Sequence, residues 1–329
     1  MIRRLALAAC AWLGLLTLAQ AKPPKACEGA DLAHIEGLAA AEAARADDLV
    51  NADGLLWRIE KPGVAPSYLF GTIHSTDEST LEVARRAAQF IDGAKVVATE
   101  LGGPIDSLEK ANLTAAMLAK ALDRDHDTFE GVIAPADRER VEKFITGQGY
   151  PAEFAHHLKP WFLAILIALP TCEAKRQALD LPEVDQFLAE TAKDSGVKVI
   201  GLETPEEQLE AIATMRPEVA GALLTVAARD TGINDDLYAT MLKLYSESRP
   251  AEILAIADAL GGLSESERAA ENEFMGALLQ GRNAIMAERA APLLASGGAF
   301  IAVGALHLSG KTGLIQRFRA MGYTVTNVW

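Results

Sequence analysis

Tyr68-Leu69-Phe70-Gly71-Thr72-Ile73-His74 and, near the other end of the chain, Phe300-Ile301-Ala302-Val303-Gly304-Ala305-Leu306-His307 decide how this sequence folds. Each is a short apolar run of buried-strand type that breaks at a glycine and reaches a histidine three residues later. Working outward from the first, Leu55-Leu56-Trp57-Arg58-Ile59 and Ser67-Tyr68-Leu69-Phe70 flank Lys61-Pro62-Gly63, which predicts a hairpin. Beyond His74, Ser79 is positioned to cap a helix carrying Leu81, Val83, Ala84, Ala87, Ala88 and Ile91. Gly93 ends that helix before a strand, Lys95 to Thr99, that stops on Glu100. Around the second stretch, Ala299 to Val303 reads as a strand, Gly310 to Met321 as a helix and Tyr323 to Thr326 as a last strand. A further strand, Val197 to Leu202, also ends on an acid, Glu203.

The expected fold class is therefore mixed α/β. Its central sheet is built from N- and C-terminal strand–Gly-x-x-His–helix–strand units, with a large helical insertion at about 104–190 and further helices at about 205–295. Residues 53–329 form this domain, preceded by a segment, 22–52, whose polar, Ala-rich part from Asp31 to Asp48 suits a helix. Trp161 to Leu169 is uninterrupted apolar sequence between two prolines, too short to cross a bilayer, and predicts a helix buried in the protein.

The chain has 329 residues and a formal net charge of -14. Its one dense basic cluster is Arg3-Arg4, so nucleic-acid binding, which requires a basic face, is excluded. Arg3-Arg4, the apolar run Leu5 to Leu18 and Ala19-Gln20-Ala21 read as a signal peptide over 1–21, cleaved after Ala21. The expectation is a periplasmic or secreted protein with no membrane association after cleavage. Export leaves Cys27 and Cys172, which an oxidising compartment favours as a disulfide, the alternative being two buried thiols.

Open α/β sheets place ligands beyond the carboxyl ends of their strands. His74, Glu100, Glu203 and His307 each occupy such an end, and imidazole with carboxylate suits zinc, manganese, iron or cobalt, which acidify bound water and polarise carbonyls. Glycine three residues before each histidine allows a sharp turn and close approach of the backbone. His126 lies in the charged run Asp123 to Asp127 and reads as a solvated loop residue. His34, His156 and His157 carry no assigned role. Ser309-Gly310-Lys311-Thr312 fails as a phosphate loop because residue 305 is alanine, and no Gly-x-Ser-x-Gly or His-Glu-x-x-His occurs.

With Pro160-Trp161, Leu181-Pro182-Glu183-Val184-Asp185, Gly201 to Leu209 and Gly281-Arg282-Asn283 added to the two histidine stretches, the chain resembles the TraB/GumN family. That family includes the Tiki proteins and is similar to the wider erythromycin esterase and ChaN-like group. The resemblance covers about residue 53 to the end and implies a mixed α/β core with a helical insertion. Tiki members are metal-dependent proteases using manganese or cobalt, and the matching positions here are His74, Glu100 and His307. Arg282 matches the family's arginine, implied to hold a substrate carboxylate or an oxyanion. Glu183 stands where the commoner bacterial pattern, Gly-x-Asp, has glycine. The expected function is an exported metal-dependent hydrolase, peptidase-like or esterase-like. A divalent ion (manganese, cobalt or zinc) would sit at His74, Glu100 and His307, Glu203 or Arg282 would assist, and the substrate would be a peptide or small molecule. Two alternatives stand: a periplasmic metal- or haem-binding protein without turnover, and a structural partner in envelope or polysaccharide export.

Overall fold

A computed structural model describes residues 27–104, 107–179, 181–229 and 231–329. The expected signal peptide lies outside these residues. Six strands, β1 (Leu56–Glu60), β2 (Ser67–Thr72), β3 (Val96–Thr99), β4 (Lys198–Gly201), β5 (Ala299–Gly304) and β6 (Thr324–Asn327), form one sheet in the order β4-β3-β5-β2-β1-β6. The hairpin forms as its turn predicts, with Leu56 opposite Phe70 and Ile59 opposite Ser67. Strand β5 is inserted between β2 and β3 and runs parallel to both, while β4 runs parallel to β3. An interior parallel strand is covered on both faces, which is why β5 is apolar at every position before its glycine. Thr72 pairs with Gly304 and Thr99 with Gly201, so the carboxyl ends of four strands meet along one edge.

The described helices are α1 (Leu38–Ala44), α2 (Glu78–Ala88), α3 (Ser107–Ala121), α4 (Pro135–Gly147), α5 (Ala152–Ala155), α6 (Pro160–Ala168), α7 (Thr171–Gln177), α8 (Val184–Asp194), α9 (Pro205–Ala213), α10 (Pro217–Ala227), α11 (Thr231–Ser246), α12 (Glu252–Ala259), α13 (Glu265–Ser296) and α14 (Leu314–Ala320). Because side chains alternate along a strand, Phe70, Val97, Phe300 and Ala302 face one layer, packed with α2, α8 and Tyr245 of α11. Leu69, Ile301 and Val303 face the other, against Met286, Ala287, Ala290 and Leu294 of α13 and Leu314, Ile315 and Phe318 of α14. Burying each large apolar side chain stabilises the fold by about 1.5–3 kcal/mol.

A separate helical core joins Val141 and Phe144 of α4, Trp161 to Leu163 of α6 and Val219 and Leu224 of α10. The apolar run after Pro160 is thus a buried helix, and no described helix is long and apolar enough to cross a membrane. Helix α13 connects the two regions. Its 32 residues span about 48 Å at 1.5 Å per residue. Ala270 near its start lies in the helical core, Met286 to Leu294 lie under the sheet, and Arg282 and Asn283 fall between.

Three local expectations are corrected. Asp77, not Ser79, caps α2, accepting the Ser79 N–H at 3.0 Å, because Asp77 keeps the extended backbone that precedes the helix and its charge complements the helix start. Within Asp31 to Asp48 only Leu38–Ala44 is helical, after Gly37 at φ 84°. The last helix starts at Leu314, not Gly310, because Ala305–His307 first makes a 3-10 turn and Gly310 adopts φ 83°. Cys27 and Cys172 stand as a disulfide pair with Cα atoms 5.5 Å apart.

Candidate functional site

Glu100, at the end of β3, is buried yet fully engaged. Its Oε1 accepts the Gly304 N–H at 2.8 Å, and its Oε2 accepts from Arg282 Nη2 at 2.7 Å and Gln208 Nε2 at 2.9 Å. Glu203, at the end of β4, accepts Arg282 Nε at 3.0 Å and Nη2 at 2.8 Å. Arg282 thus lies between two buried carboxylates, and its remaining Nη1 donates to the Leu278 carbonyl. The helix start after Glu203 is capped by others: Thr204 Oγ1 accepts from Glu207 N–H, and the Glu207 carboxylate accepts from Thr204 N–H. That leaves Glu203 free to hold Arg282.

His307 is buried behind Glu100. Asn283 Nδ2 donates to the Thr312 carbonyl at 3.2 Å, so its Oδ1 faces His307 Nδ1 and accepts that proton at 2.7 Å. The other ring nitrogen, Nε2, keeps its lone pair and stands 3.6 Å from Glu100 Oε1. Burial, with Arg282 close by, outweighs the attraction of Glu100 and lowers the His307 pKa to about 4, so the ring is neutral at pH 7. Burial opposes ionisation of Glu100 as well, but Arg282, the charged form of His74 and the Gly304 N–H outweigh it and hold the carboxyl well down. With His307 neutral, Arg282 is the permanent cation responsible.

His74 sits in the opposite surroundings, with 66% of its side chain exposed. Its Nδ1 lies 3.4 Å from both Glu183 Oε2 and Asp185 Oδ2. Thr72 Oγ1 donates to Asp185 Oδ1 at 2.7 Å, and Asp185 Oδ2 is buried without a hydrogen-bond partner. Glu183 first and Asp185 second raise the His74 pKa, and solvent over the open side of the ring screens part of that attraction. Burial raises Asp185 to about 6 against the pull of His74.

The two motif glycines serve close approach. Neither has a positive φ. A Cβ at Gly71 would come within 3.0 Å of Ala305, and one at Gly304 within 3.2 Å of Glu100 Oε1. What passes close to Gly304 is the site carboxylate itself.

A cavity of about 320 Å³ opens over this cluster, lined by His74, Glu100, Glu183, Asp185, Glu190 and Gln208 together with Gly102-Gly103-Pro104 and Leu181-Pro182. Among the described residues no lysine or arginine lines it. The structure therefore puts His74 and Glu100 at the cavity and His307, Glu203 and Arg282 directly behind Glu100. Asn283, Gln208, Glu183 and Asp185 were not assigned roles from sequence, although all four lie in the segments that carry the family resemblance. His126 is exposed beside Asp123, and His156 pairs with Asp127 and Glu142, both outside the cavity lining.

Among the described residues no three His, Cys, Asp or Glu side chains already stand as a coordination group. The donor set nevertheless suits a divalent ion. Two ligands at about 2.0–2.2 Å from one tetrahedral ion lie about 3.4 Å apart. The lone-pair atoms His307 Nε2 and Glu100 Oε1 are 3.6 Å apart, and Asp185 Oδ2, without a hydrogen-bond partner, lies 3.4 Å from His74 Nδ1, whose proton a bound ion would displace.

A sequence model of the TraB/PrgY/gumN family matches residues 55–327, most of the chain, and the protein belongs to that family. No curated protein and no solved structure matches it.

Proposed function

We propose that this member of the TraB/PrgY/gumN family is an exported, metal-dependent hydrolase of peptide or ester bonds. The observation that carries the reading is a cavity at the carboxyl ends of four parallel strands that is lined by His74, Glu100 and Asp185, whose Oδ2 has no hydrogen-bond partner, with the lone pair of His307 Nε2 3.6 Å from Glu100 Oε1 behind it. His74, Glu100 and His307, with Asp185 as a further donor, would hold a divalent manganese, cobalt or zinc ion, which supplies an acidified water and a polarised carbonyl when bound.

The chain's own groups are arranged for proton handling around that centre. Arg282 and Gln208 occupy Glu100 Oε2, which leaves Oε1 facing His307 and keeps the carboxylate ionised at neutral pH. Asn283 holds His307 in the tautomer with a free Nε2. Burial raises Asp185 to about 6, close to neutrality, so its carboxyl would readily give up its proton when Oδ2 takes up the ion. Glu203 acts through Arg282, fixing the guanidinium against Glu100. Four acids and one imidazole make the cavity ill-suited to an apolar haem, which disfavours the reading of a haem carrier. Export is supported by the cysteine pair, which persists in oxidising compartments.

A metal-supplemented peptide library read by mass spectrometry tests the proposal. Cleavage is expected from the wild type, and Glu100→Gln should lose about 10²-fold or more in rate. Equal cleavage by that variant would refute the role of Glu100. An optical spectrum with a haem band, from protein purified without chelators, would favour the binding-protein reading instead.

A further inference from the structure

His74 lies between Ile73, packed in an apolar cluster beside the disulfide, and Thr76, which is held by the short helix α7. The Ser75 N–H donates to the Ile73 carbonyl at 2.8 Å, which makes His74 the central residue of a three-residue turn. On one side, Ile73 packs against Cys27, Tyr238 and Leu242, a cluster that Cys172 also joins. On the other, Thr76 is gripped by α7: its N–H donates to Glu173 Oε1 at 2.8 Å, and Arg176 donates from Nε to Thr76 Oγ1 at 2.9 Å and from Nη2 to the Thr76 carbonyl at 2.7 Å. Glu173 and Arg176 are both buried.

Besides these contacts, helix α7 is held by Thr171 Oγ1, which donates to Gln148 Oε1 at 2.5 Å. It has seven residues, lacks a side-chain N-cap, and its fully buried positions are the polar Glu173 and Arg176. An isolated helix of that length is marginal in water, and no apolar stripe docks it. Its covalent anchor is Cys172, bridged to Cys27.

We propose that α7 is the positioning element of the open half of the site: the Cys27–Cys172 bridge anchors it, and Glu173 and Arg176 transmit that anchorage through Thr76 to the turn that aims His74 at Asp185 and Glu183. The inference rests on the reading of His74 as a site residue and adds Cys27, Cys172, Glu173 and Arg176 as residues that act through it. Loss of the bridge is then felt at His74 before it is felt in the sheet.

The test compares full-length wild type, Cys27→Ser and Arg176→Lys by NMR at one fixed pH, reading the His74 ring Cε1–H resonance and amide exchange at Thr76. His126 and the β5 amides serve as internal controls. In both variants the β5 amides should stay protected and the His126 resonance unmoved. Thr76 exchange should rise by about tenfold or more, and the His74 resonance should shift and broaden. Mn²⁺ affinity should fall by about 10-fold or more, as for other residues that orient a ligand. If Arg176→Lys does not fold, Cys27→Ser and wild type reduced with dithiothreitol carry the comparison. A folded Cys27→Ser protein with unchanged Thr76 exchange and an unmoved His74 resonance overturns the proposal. Wild type that binds no Mn²⁺ would defeat the hydrolase reading while leaving the two NMR readouts to decide this one.

Discussion

The two Gly-x-x-His units occupy neighbouring parallel strands, yet they hand their histidines to opposite environments. His307 is buried, neutral and fixed in one tautomer by Asn283, beside a carboxylate tied to Arg282. His74 is open to solvent and flanked by Glu183 and Asp185, which favour its charged form. The motif delivers a histidine to a strand end. Its protonation state is decided by what a distant helix brings: α13 supplies Arg282 and Asn283 to one, and the start of α8 supplies Glu183 and Asp185 to the other.

The largest way to break this contrast is Arg282→Met. Two carboxylates would remain buried without their shared cation, and chemical denaturation should show a loss of about 3–5 kcal/mol. A loss below about 1 kcal/mol, the range of exposed ion pairs, would mean that the buried half is not held by charge. Asn283→Leu is expected to cost about 1–3 kcal/mol, since it leaves the His307 Nδ1 proton unpaired in the interior. An unchanged denaturation midpoint would contradict that.

In metal-free protein the two histidines should bend the pH dependence of stability in opposite senses. His307 has a folded pKa of about 4 against an ordinary 6.5, so the unfolded chain binds more protons between those values. Stability should fall as pH drops through that window, by up to about 1.4 kcal/mol per pH unit. His74 is raised, so its contribution is complete below 6.5 and is lost as pH climbs above that value through its folded pKa. Stability-against-pH curves for His307→Asn and His74→Gln should therefore each flatten in a different range. Flattening in the same range would remove the contrast. The smallest effect concerns the division of labour after β4: Thr204→Ala should cost about 1 kcal/mol through its cap, whereas Glu203→Gln should cost more because it weakens the bond to Arg282. The reverse ranking would return Glu203 to the helix start.

Much of this was legible because buried parallel strands are near-continuous apolar runs. Val96 to Thr99 and Ala299 to Val303 can be read directly, and the residues after them fall at strand ends. The partners of those residues were less legible. Asn283 reaches His307, and Arg282 reaches Glu100, only because a 32-residue helix crosses from one core to the other, a register set by tertiary packing. Gln208 and Asp185 likewise depend on how α9 and α8 dock. The cap of α2 falls two residues before the expected one because Asp77 and Ser79 are both good capping types, and the helix starts after the carboxylate.

The central claim is that both histidines serve one metal centre despite their different surroundings. It is tested most directly by metal content after dialysis against Mn²⁺ or Co²⁺, measured for wild type, His74→Ala and His307→Ala with circular dichroism confirming that each is folded. The account predicts stoichiometric metal in the wild type and none in either variant. Undiminished metal in either folded variant would contradict it.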